Sequence, residues 1–150
     1  MVGDFDIRKV CRNRVNYLRE AVDLVSFNYP DIEVVDSGTE LGPCIYRTLF
    51  AVAVNNTEDY RAVALAVIRI NELVRDVSAR LSAYRWEVFE KESYVEGNRV
   101  YMEVRWLKKI HLPGRRYTSA MDIYELAFPY IKAERGEGAD PPKVILAEVQ

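Results

Sequence analysis

The stretch that most constrains this chain runs from Cys44 to Leu81. Within it Tyr46, Thr48, Phe50, Val52 and Val54 alternate with Arg47, Leu49, Ala51 and Ala53. Successive side chains of a strand point to opposite sides, so residues 46–54 are expected to form a strand with one bulky face and one small face. The small face is the one expected to lie close to a helix. Asn55-Asn56-Thr57-Glu58-Asp59 then ends the strand. Asn56 or Thr57 is expected to cap the next helix, and Glu58 and Asp59 suit the positive end of its dipole.

Tyr60, Val63, Val67, Ile70, Val74, Val77 and Leu81 follow at alternating spacings of three and four. Such spacing places them on one stripe of a helix of about six turns. Ala62, Ala64, Leu65, Ala66 and Ile68 widen the apolar surface of its first half, and Asp76 and Arg80 make an i,i+4 pair. The same spacing also describes a coiled-coil seam. The added apolar residues favour packing on a sheet.

At 150 residues the chain is long enough to bury one sizeable core, with or without an extension. A net charge of −2 offers no global attraction to nucleic acid. No apolar run approaches the roughly 20 residues of a membrane-spanning helix, and Met1–Asp6 lacks a signal-peptide layout. A cytoplasmic protein is expected, or a particle component assembled there. Cys11 and Cys44 are read as core-filling residues and not as a disulfide framework. Arginine outnumbers lysine and glutamine occurs only at Gln150, a bias shared by hot habitats and by GC-rich genomes.

Residues 6–27 read as the first helix, with Cys11, Val15, Leu18, Val22 and Val25 on its apolar stripe, extended back to Ile7. Arg8, Lys9, Arg12, Arg14 and Arg19 make the remainder basic. Residues 32–36 are a short strand and 37–43 a loop. Tyr84–Val88 and Arg99–Leu107 form a hairpin around Glu96-Gly97-Asn98. Trp86 and Trp106 fall on its apolar face and read as core. Thr118 or Ser119 is expected to cap a short helix that Pro129 ends or kinks. Residues 136–142 are a Gly/Pro linker, and 143–149 a terminal strand or arm.

Loop 108–116 carries Lys108, Lys109, Arg115 and Arg116, the most compact basic patch. With Arg8, Lys9 and Arg12 it is the candidate binding surface for phosphate or an acidic partner. Val144, Ile145, Leu146 and Val149 are the candidate oligomer arm, since a short apolar strand needs a sheet edge. His111 is the only histidine, which leaves no His-rich metal site, and neither GxxxxGK[ST] nor GxGxxG occurs. No metal or cofactor is expected. Glu87 and Glu103 are placed to face each other across the hairpin, but alternating charges on strands usually form surface ladders, so no catalytic residue is assigned.

The order of helix 6–27, the strand–Asn-Asn-Thr-Glu-Asp–helix unit at 46–81 and the hairpin 84–107 resembles the tail-terminator and tail-completion proteins of long-tailed bacteriophages. The same order is also similar to the more acidic dimeric chaperones of type III secretion. The expected fold is α+β, a mostly antiparallel sheet of four or five strands with two long helices packed on one face. Residues 1–116 form the core domain and 117–150 a C-terminal extension. The tail-terminator resemblance implies a homo-oligomeric ring subunit that joins other virion or assembly proteins, with no membrane. The alternative is a nucleic-acid- or ligand-binding α+β domain that uses the basic helix and loop.

Overall fold

The computed structural model describes residues 5–135, so the expected linker 136–142 and the arm at 143–149 lie outside the described residues. The elements are α1 (Ile7–Val10), α2 (Val15–Ser26), β1 (Glu33–Gly42), β2 (Ile45–Ala53), α3 (Tyr60–Leu81), β3 (Trp86–Glu96), β4 (Arg99–Lys108) and α4 (Ala120–Arg135). The strands form one antiparallel sheet in the order β1-β2-β4-β3. The α+β class is therefore the one that the alternating strands and the long helix require.

The bulky face of β2 lies under α2 and α3. Tyr46 and Phe50 are buried there with Val104 and Trp106 of β4, against Leu18 and Val22 of α2 and Ile70, Leu73, Val74 and Val77 of α3. The helices thus cover the large side chains and not the small ones, opposite to the expectation. The helix stripe holds from Ile70 to Leu81 and weakens toward the start, where Tyr60 is 86% exposed. Its cap is Asp59, whose carboxylate accepts from the backbone N–H of Arg61 and Ala62, while Asn56 accepts from the N–H of Glu58 one turn too early. Asp76 does not pair with Arg80: its carboxylate accepts the hydroxyl of Tyr29. That bond raises the Tyr29 hydroxyl to about 12, because ionising it would place two negative charges side by side.

The helix expected over 6–27 is broken into α1 and α2. Asn13 adopts φ 65°, a left-handed turn that asparagine tolerates better than most side chains. The break sends Ile7 and Cys11 into one core cluster and Leu18, Ala21, Val22 and Val25 into another. Cys11 is joined by a disulfide to Cys44, with 5.1 Å between their Cα atoms, so the cysteines cross-link α1 to the β1–β2 turn as well as filling space. A separation of 33 residues carries no local signal of such pairing.

Residues 37–42, expected as a loop, belong to β1. The strand is irregular, with register shifts around Asp36 and Glu40. Asp36 holds the distortion together by accepting from Gly38 N, the Thr39 hydroxyl and Arg47 Nε. Arg19 of α2 donates twice to the Gly38 carbonyl. These side chains supply the bonds that a regular ladder would otherwise make. The β3–β4 hairpin turns at Gly97 with φ 64°, the sign that a two-residue hairpin turn asks of its first residue.

The opposite face of the sheet is covered at one end by α4. Ile123, Tyr124, Ala127 and Ile131 pack with Ile45, Phe89 and Leu107 in the second core cluster. Ser119 and Asp122 cap α4 reciprocally. Pro129 neither ends the helix nor stops it packing. The residue is exposed, and the helix continues to Arg135. Helices therefore lie on both faces of the sheet, α2 and α3 on the first and α4 on the second.

Candidate interaction surfaces

The basic loop follows β4. Lys108 Nζ donates to the carbonyls of Tyr84 and Lys109 at 2.7 and 2.9 Å. Burial first, and then the nearby Arg14 and Arg85, lower its pKa. Lys109 pairs with Glu87 at 3.2 Å, and Arg115 with Asp122 at 2.9 Å. Arg8 pairs with Asp6 and lies over the Tyr130 ring. Four of the seven candidate cations thus serve local structure. Lys9, Arg12 and Arg116 are exposed, and no carboxylate of the described residues forms an ion pair with them. The patch is not one continuous cradle of unpaired charge.

The part of the sheet that α4 leaves uncovered carries a ladder. Glu90 and Glu103 flank Arg105, whose side chain is only 14% exposed. Asp36 pairs with Arg47 and Glu33 with Arg99. Tyr94 stacks on Tyr101 with centroids 5.1 Å apart. Glu87 stands opposite Leu107 in the ladder and Glu103 opposite Glu92, so Glu87 and Glu103 do not face each other. Glu103 is held to Arg105. Among the described residues no three His, Cys, Asp or Glu side chains are grouped to hold a metal ion. No helix among them is long and apolar enough to cross a membrane.

Further exposed apolar residues stand in two places on the helix layer. Leu24 of α2 and Phe27 just beyond it are 50% and 87% exposed; Leu65 and Ile68 of α3 are 60% and 52% exposed. A groove of about 520 Å³ runs beside α3 between Val52, Val54, Ala62, Leu65 and Ile68, with Asp31, Arg69 and Glu72 at its polar rim. Arg69 is anchored there by two bonds to Asp31 and by the Tyr29 ring beneath it. The same pairing holds the Asp31 carboxyl below its usual range. A second groove of about 420 Å³ lies between Tyr17, Leu24, Leu81 and Tyr84.

Leu65 and Ile68 read in sequence as extensions of the buried stripe. Their signal was angular: at about 100° per residue both fall on the side of the helix away from Ile70 and Val74. No protein-family model, curated protein or solved structure matches this chain.

Proposed function

We propose that this chain is a structural assembly subunit. It self-associates, as a closed ring in the manner of the tail terminators that its element order resembles, and joins other particle subunits. It works by shape and charge complementarity, with no bond made or broken. One observation carries the reading: large apolar side chains stand exposed on the outer surface of helices whose inner faces are already packed. Leu24, Phe27, Leu65 and Ile68 are each half exposed or more. Leu65 and Ile68, one turn apart on α3, form an exposed apolar pair that a protein contact would cover. The terminal segment with Val144, Ile145, Leu146 and Val149 adds, in this reading, to a neighbour's sheet edge. Strand β3 offers one, with residues 92–96 exposed.

The native mass in solution tests the proposal. Light scattering on the full chain should give a multiple of 17.4 kDa that persists on dilution. A monomer mass at every concentration overturns it. Deleting residues 136–150 should break the oligomer and leave the domain folded. The competing nucleic-acid reading predicts duplex DNA affinity that falls with salt, with a flatter slope after replacement of Arg115 and Arg116.

A further inference from the structure

The stripe of α3 opposite its buried face is formed by Arg61, Leu65, Ile68 and Glu72. All four fall within about 40° of the direction opposite Ile70, which is fully buried. All four are exposed. Their order along the helix is cation, apolar, apolar, anion, at spacings of four, three and four. An order of this kind complements itself when reversed. We propose that this face of α3 is a twofold contact with a second copy of the chain, the two helices running antiparallel about an axis between Leu65 and Ile68.

In that arrangement Arg61 meets Glu72 of the second copy, and Leu65 meets Ile68 of the second copy, each pair occurring twice. A parallel pair would set Arg61 against Arg61. Moving the axis onto Leu65 brings Arg61 opposite Arg69, and moving it onto Ile68 brings Arg61 opposite Arg75. Both neighbouring registers oppose like charges, so the charge pattern selects one register and one orientation. Exposed Ala64 beside the stripe lets the helix axes approach. Glu72 has a 3.2 Å contact with Arg69 in the protomer, but Arg69 is already held by two bonds to Asp31. A second cation can therefore share the Glu72 carboxylate.

The inference rests on the assembly reading and names the surface it uses. A twofold contact alone closes a pair; combined with a head-to-tail contact it stacks two rings face to face. Sedimentation equilibrium on the full chain and four variants tests it, with thermal melting as the check on folding. Arg61→Glu and Glu72→Arg should each weaken association by about tenfold or more, and the double variant should recover it because the charges are exchanged. Leu65→Lys should abolish the contact without lowering the stability of the monomer. If wild type associates and neither Leu65→Lys nor the single reversals change it, this contact is wrong and the assembly reading stands. If the single variants dissociate and the double does not recover, the register is wrong. A wild type that is monomeric throughout overturns both.

Discussion

Cys11 and Cys44 are 33 residues apart in sequence and 5.1 Å apart between Cα atoms, joined by a disulfide that ties α1 to the β1–β2 turn. Both are buried. The Tyr46 hydroxyl also donates to the Cys11 carbonyl, so two bonds hold the chain entry against the sheet. Closing a loop of this length restricts the unfolded chain by roughly 3–4 kcal/mol. Reduced protein should therefore melt at a clearly lower temperature than oxidised protein. Equal melting temperatures, or two titratable thiols in the untreated native protein, would show that the cross-link is absent.

Trp106 and Thr48 form the polar contact at the centre of the helix-covered face. The indole Nε1–H donates to Thr48 Oγ1 at 2.9 Å, and both residues are fully buried. Thr48→Val keeps the shape and removes the acceptor. An unsatisfied buried donor costs about 1–3 kcal/mol, so denaturant unfolding should shift to lower midpoint with an unchanged slope. Thr48→Ser keeps the acceptor and should retain more of the stability than Thr48→Val does.

Gly42 and Ile131 test whether α4 belongs to the same folding unit as the sheet. A Cβ placed at Gly42 would run into the Ile131 side chain. Gly42→Ala should cost about 1–3 kcal/mol through overpacking. In an Ile131→Ala background the same change should cost much less, a coupling that a double-mutant cycle reads directly. Additive effects would mean that α4 does not press on β1 in solution.

Asp122 gives a pH-dependent contribution. The Ser119 backbone N–H first, then the Ser119 hydroxyl and Arg115, hold its carboxyl below the usual aspartate value of about 3.8. A depressed folded-state value favours the ionised form in the native protein. The contribution is therefore fully present above about 3.8 and is lost as pH falls through the lower folded value. The melting temperature of wild type should exceed that of Asp122→Asn at pH 6, and the gap should close toward pH 2. A gap that stays constant with pH would assign the effect to something other than this carboxylate.

The periodicities in the chain were enough to define β2, the length of α3 and β4, because each depends on neighbours a few residues away. The first hairpin strand was legible only in part, since Tyr84 stands exposed in the turn before β3 and the strand runs on from Trp86 to Glu96. The burial of Tyr46, Phe50, Trp86 and Trp106 was legible for the same reason. The basic loop was legible as a cluster of charges, but not the fate of those charges: Glu87 and Asp122 reach Lys109 and Arg115 from outside the local run. Nor could alternation show that Ser37–Gly42 is strand, since its distortion is held by Arg19 and Arg47 from other elements. The disulfide between residues 33 positions apart shares that cause. Local spacing determines which residues share a face, whereas only the packed chain decides which faces find cover. That is why Ile70 is fully buried while Ile68, two residues away on the same helix, is half exposed.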